Sequence, residues 1–283
     1  MTDLFESRGA SPMLIARQEE AFDDPNSIYE LKLDGIRCLA YFNEDTVDLR
    51  NKRNLQLNAK FPELRGIYKN VSAKCILDGE IVVLNKGVPD FNSLQKRTLL
   101  TERFKIEMES VRFPASFVAF DCIYADGKEL IWEPLTVRKQ ILTGLVKESG
   151  RIAVSRYIEE KGTALYRAAE QQELEGIVAK KKDSIYVMGK RSRDWIKCKR
   201  MADEDFIVAG YIRKGKHIFT LILAKYREGV LVYKGHVTAG VTEDAVAELS
   251  EVSRNPFYLL PAGNQGAVWV KQDHVCIVEY MPN

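Results

Sequence analysis

The stretch Glu30-Leu31-Lys32-Leu33-Asp34-Gly35-Ile36-Arg37 combines a strand pattern with residues suited to chemistry. Lys32 stands between two leucines in an alternation that predicts a strand. A lysine among apolar neighbours is partly desolvated, which disfavours the ammonium and favours the neutral amine, its nucleophilic form. Asp34-Gly35 ends the strand in a turn, because glycine adopts backbone angles closed to other residues. Arg37 follows, where its cationic fork suits a carboxylate or a phosphate. The same stretch also describes a surface strand with scattered charges and a tight hairpin. The rest of the chain has to decide between these readings.

Further along, Cys75-Ile76-Leu77-Asp78-Gly79-Glu80-Ile81-Val82-Val83-Leu84 is an apolar strand interrupted by two carboxylates. Buried carboxylates are costly unless paired or bound to a cation. Ser116-Phe117-Val118-Ala119-Phe120-Asp121-Cys122-Ile123-Tyr124 predicts a core strand, in which an aromatic such as Phe120 is ordinarily just packing. Glu175-Gly176-Ile177-Val178-Ala179-Lys180 opens another strand, and of the run Lys180-Lys181-Lys182 only Lys180 is expected to face inward. Residues 186–193 read as a basic, flexible loop. In Arg193-Asp194-Trp195-Ile196-Lys197-Cys198-Lys199, the residues Trp195, Lys197 and Lys199 alternate and share one face of a strand. Two lysines held side by side favour an anion between them, although lysines also guard exposed edge strands.

Lys-x-Asp-Gly-x-Arg at Lys32–Arg37 resembles the nucleotidyl-transfer motif of the ATP-dependent DNA ligases, in a superfamily that includes RNA ligases and capping enzymes. The other stretches occur in that family's order. The resemblance implies that Lys32 attacks the α-phosphate of ATP, with Glu30, Leu31 and Arg37 at the nucleotide. It places Arg53, or equally Lys52, at a phosphate, Glu80 near ribose and metal, and Phe120 beneath adenine. Glu175 becomes a second metal-directed carboxylate, while Lys197 and Lys199 take the α-phosphate. The implied cofactors are ATP and Mg²⁺, with Mn²⁺ as a substitute. The implied substrate is nicked double-stranded DNA. The expected protein is a cytoplasmic, nucleoid-associated monomer of bacterial or phage-like type, similar to the ligase module of end-joining enzymes, with end-joining or repair proteins as partners. The alternatives are an RNA ligase, a capping-type nucleotidyltransferase, or a nick-binding protein with weak catalysis. The family's C-terminal basic motif has no counterpart before Asn283, which puts self-adenylylation in question as an expectation.

Size and composition agree with two domains. The chain has 283 residues, 46% hydrophobic and 29% charged, with a net charge of +2. That is an ordinary globular composition. Any nucleic-acid surface must therefore be a local patch. The five cysteines are widely spaced and read as buried free thiols. No apolar run reaches membrane-spanning length and the start carries no signal-peptide pattern, so no membrane contact is expected. The fold expected is α+β: a nucleotidyltransferase (adenylation) domain over 1–202, with antiparallel sheets and helices, then an OB-fold β-barrel over 203–283. Helices are expected from Phe91, from Pro134 and over 163–173, the last two as scaffold only. In the second part, strands are expected over 205–212, 217–226, 229–236 and 267–279, and a helix over 242–251.

Overall fold

The computed structural model describes residues 3–85, 87–200, 202–259 and 262–280. The chain divides into two compact units, Met1–Arg200 and Met201–Asn283.

The first unit holds two sheets. One runs in the order Leu14–Gln18, Arg191–Lys199, Gly176–Lys181, Asp24–Leu31, Tyr157–Glu160. The other runs Val47–Asn51, Ile36–Phe42, Cys75–Asn85, Ala115–Ala125, Lys128–Glu129. Short strands add to this second sheet: Val88–Pro89 beside Cys75–Asn85, and Ile152–Val154 parallel to Ala115–Ala125. Strand alternation sends successive side chains to opposite faces. Leu39, Tyr41, Ile76 and Ile123 of the second sheet thereby join Val178 and Trp195 of the first in one core, completed by Met13 and Tyr186. The second sheet's outer face is covered by Leu64, Ile67, Leu94 and Leu142. On the first sheet's outer face, Tyr29, Ile177 and Ala179 meet Ala169 of the helix Gly162–Gln171. Glu30, next to Tyr29, consequently faces inward, where it is buried.

The Asp-Gly-Glu interruption has a steric reason. A Cβ on Gly79 would lie 2.5 Å from both the Phe117 ring and the Val118 carbonyl oxygen, so only glycine lets the strands approach. A hairpin turn forms at 43–45, with Asn43 Oδ1 accepting from the backbone N–H of Asp45 and of Thr46. Helices occur at Phe91–Leu99 and Leu135–Leu145. The helix Arg103–Arg112 and the 3₁₀ helix Pro62–Asn70 were not legible in the hydrophobic pattern. Lys32 is not within a strand. The strand ends at Leu31, and Lys32 begins the following turn, its backbone N–H still donating to Gly176 O.

In the second unit the strand Ala202–Arg213 is the spine. Its first half pairs with Val275–Tyr280 and its second half with Ala267–Val270. Phe219–Arg227 lies along its other side and continues to Val230–Val237. The run 267–279 is therefore two strands, broken at Lys271–His274 because Gln272-Asp273 is a turn. Alternate residues are buried on both faces: Leu221 and Leu223 on one, Ile222 and Ala224 on the other. The helix Glu243–Ala247 is capped by the Thr242 hydroxyl, which accepts from Ala245 N–H. Among the described residues no pairing joins the outer strands, so the sheet is a curled half-barrel. Cys38, Cys75, Cys122 and Cys198 are buried free thiols. Among the described residues no helix is long and apolar enough to cross a membrane.

Candidate active site

A cleft opens in the first unit between the two sheets. Lys32, Leu31, Arg37 and Glu80 lie along it, with Glu30, Lys180, Phe120 and Trp195 also lining it and Ile15 and Val178 as apolar walls. These residues come from six separate stretches of sequence, brought together because the strands that carry or flank them are neighbours.

Around Lys32 the charges alternate. Lys32 Nζ donates to Glu175 Oε2 at 2.7 Å, and Lys199 Nζ lies 2.8 Å from Glu175 Oε1. Gly176 makes this placement possible. It has φ of +135°, and a Cβ there would meet Cys198 O at 2.2 Å. Glu175 thus leaves the strand at an angle no L-residue adopts easily. Burial pulls the Lys197 ammonium below the usual lysine range, helped by Lys199 and Lys32. Burial also raises the Asp34 carboxyl, with Glu175 adding to it. It pushes Glu80 up to about 7 against the pull of Arg37 and Lys32. Perturbed groups of both signs gathered around one lysine mark a functional site.

Deeper in, charges are fixed in pairs. Arg37 Nε and Nη2 donate to the two oxygens of Asp78 at 2.5 and 2.6 Å, and Tyr186 Oη donates to the same carboxylate at 2.5 Å. Burial opposes the charge on Arg37, but Asp78 outweighs it and raises the guanidinium further. The fork of Arg37 is therefore occupied by a carboxylate of the protein, and Asp78 has the structural role its place in a buried strand suggested. Tyr186 belongs to this network rather than to a flexible loop. Phe120 is only 8% exposed. The Arg37 guanidinium and the Lys180 ammonium each lie 4.4 Å from its ring centroid, and Trp195 packs edge-on at 6.1 Å.

At the inner end, Glu30 contacts Lys139 and lies 3.2 Å from Lys180. Burial disfavours its charge, but the two ammonium groups outweigh that and hold the carboxyl below the ordinary range. Burial brings Lys180 down to about 8 against the pull of Glu30. Lys139 comes from Leu135–Leu145, the helix expected to be scaffold only. Arg138, next to it, is fully buried and grips Asp121, the neighbour of Phe120, through Nε at 2.7 Å and Nη2 at 2.9 Å. The sequence did carry a signal for this: an arginine on an otherwise apolar helical stripe, and an aspartate in an apolar strand.

Arg53 and Lys52 are not brought to the cleft. They occupy an exposed turn after Val47–Asn51, shaped by Asn51 Oδ1 accepting from Arg53 N–H and by Asn54 at φ of 60°. Among the described residues no three His, Cys, Asp or Glu side chains form a ready metal cage.

Residues 12–199 match the family model for the ATP dependent DNA ligase domain. The SPbeta prophage-derived DNA ligase-like protein LigB of Bacillus subtilis is 34% identical over 205 residues, 72% of this chain and 72% of that protein. DNA ligase C1 of Mycolicibacterium smegmatis is 31% identical over 252 residues, 85% of this chain and 72% of that one. Among solved structures, mycobacterial DNA ligase D complexed with ATP and MES is similar at a TM-score of 0.62 and 26% identity, covering 96% of this chain and 89% of that one. The ligase domain of M. tuberculosis LigD gives 0.61 and 25%, with 96% and 90% covered. The likeness spans the half-barrel as well, which has the OB architecture of these enzymes. A lysine at the mouth of an inter-sheet cleft thus lies within a chain whose greater part matches the ligase domain, and the chain belongs to the ATP-dependent DNA ligases.

Proposed function

We propose that Lys32 is the nucleophile that takes AMP from ATP and that the AMP is then spent on sealing a nick in duplex DNA. The observation that carries this is the placement of Lys32 Nζ at the cleft mouth, 2.7 Å from Glu175 and beside two further lysines of one strand face. The Lys32 nitrogen attacks the α-phosphorus, a P–N bond forms, and the bond to the bridging oxygen breaks as pyrophosphate leaves. Glu175, already accepting from Lys32, orients the amine. Lys197 and Lys199 face the α-phosphate and stabilise the charge that develops there. AMP then passes to the 5′-phosphate at the nick, whose 3′-hydroxyl displaces it. Glu30 and Leu31 border the base and Phe120 forms its aromatic wall, while Arg37, held by Asp78, shapes the floor.

Glu80 and Glu175 suit Mg²⁺, which takes one or two carboxylates together with phosphates and water rather than an all-protein cage. The cation would neutralise charge on the triphosphate and on the departing pyrophosphate. The nucleotide chemistry belongs to residues 1–202 and contact with duplex DNA extends to 203–283. The working form is a cytoplasmic monomer. Incubation with α-labelled ATP and Mg²⁺, followed by denaturing electrophoresis, should label the protein. Lys32→Ala should abolish the label, and nicked DNA should discharge it. Label retained by Lys32→Ala would overturn the assignment.

A further inference from the structure

We propose that Lys139 is a positioning residue for base selection: it fixes Glu30 at the inner end of the cleft as a charged, acceptor-only group, so that a purine carrying an exocyclic amine is preferred over one carrying a carbonyl there. This rests on the reading of the cleft as the ATP site.

Two ammonium groups share one carboxylate here, as at Glu175, but at Glu30 all three groups are buried. Lys139 is on Glu30 Oε1 and Lys180 is 3.2 Å from Oε2, and all three side chains are about 3% exposed. The two lysines are not equivalent. Lys180 lies on the floor, 4.4 Å from the Phe120 centroid and 4.2 Å from that of Trp195, and it lines the cleft. Lys139 does not line that cleft. It approaches from the helix Leu135–Leu145, with Tyr157 the ring beside it at 5.5 Å. The Ser155 hydroxyl also faces Glu30, and Asp121 and Arg37 are the next charges, acting on Lys180. Arg138 fixes the helix itself through the buried Asp121. Lys139 is thereby held behind Glu30 rather than in front of it.

A carboxylate has only acceptor atoms when ionised, and a donor when protonated. A buried carboxyl with a single partner is free to turn toward it or to take up a proton. With a second ammonium behind it, Glu30 keeps its charge and its orientation. An amino group on the base edge is then accepted by Glu30, and a carbonyl oxygen there meets a like partial charge. Unpaired polar contacts of this kind discriminate strongly.

The test is equilibrium binding of ATP and GTP in EDTA, so that no covalent step contributes, for wild type, Lys139→Met, Lys139→Arg and Glu30→Gln. Wild type should prefer ATP by more than about tenfold. Lys139→Met should bring the preference to within about threefold, and Lys139→Arg should keep it. In a Glu30→Gln background, Lys139→Met should change the ratio no further. If Lys139 only supports the fold, both nucleotides weaken in parallel and the ratio stays, which overturns the proposal. An absence of preference in wild type overturns it too. If Lys139→Met fails to fold, the Arg variant decides: loss of the ratio with retained folding refutes the proposal that a cation behind Glu30 sets the preference. Binding is read without labelling, so failure of the Lys32 assignment would appear separately.

Discussion

The Asp78-Gly79-Glu80 stretch places two carboxylates in one strand, and the structure predicts that neutralising them has opposite consequences. Asp78 is fully buried and accepts three short hydrogen bonds, two from Arg37 and one from Tyr186. Asp78→Asn keeps the shape and one acceptor but leaves the guanidinium without its counter-charge. Removing one partner of a buried ion pair costs about 3–5 kcal/mol. The Arg37 side chain is 20% exposed, so water compensates in part and the lower end applies, about 3 kcal/mol. Glu80 is different. Burial holds it at about 7, so its charge is already disfavoured in the fold near neutral pH, and Glu80→Gln removes that penalty and should not lower stability. The assay is urea unfolding followed by circular dichroism and tryptophan fluorescence, alongside labelling by α-labelled ATP. Asp78→Asn should lower the unfolding midpoint of the first unit, and Glu80→Gln should keep or raise it while suppressing labelling. Tyr186→Phe should cost about 1.5–3 kcal/mol alone and less on top of Asp78→Asn, because both act on one carboxylate. A loss below about 1 kcal/mol for Asp78→Asn would refute the argument that Arg37 depends on it.

Three further outcomes follow from particular contacts. Arg138→Met should destabilise the first unit by about 3–5 kcal/mol, since it strands the fully buried Asp121; adding Asp121→Asn should restore part of that in the same unfolding assay. Gly176→Ala should reduce labelling at least about tenfold while leaving an assembled fold by circular dichroism, because a Cβ against the Cys198 carbonyl moves the backbone that presents Glu175. Arg53→Ala should leave ATP labelling unchanged, as its turn is exposed and off the cleft; weaker, salt-dependent binding of nicked DNA would place it on the substrate, measured by titration at two ionic strengths.

What could be read from the sequence was what local pattern determines. Alternation gave the strands, and Lys-x-Asp-Gly-x-Arg singled out Lys32. What could not be read was which charges meet, because that depends on sheet order. Glu30 reaches Lys180 only because Asp24–Leu31 lies against Gly176–Lys181, and Lys139 only because a distant helix packs behind them. Yet the buried charges left a trace. Asp78 and Asp121 interrupt apolar strands and Arg138 interrupts an apolar helical stripe. Each was a misfit to its own period, and each misfit is resolved by another: Asp78 by Arg37, Asp121 by Arg138. Burying an unpaired charge is too costly to leave such positions unmatched, so charges that violate a hydrophobic period predict one another. Glu30 with Lys139 and Lys180 breaks this one-to-one matching, having two cations for one anion beside the cleft. A scaffold pair has no use for a second buried ammonium, whereas a site that must present a carboxylate to a ligand does. The imbalance, rather than the burial, is what separates this cluster from the structural pairs around it.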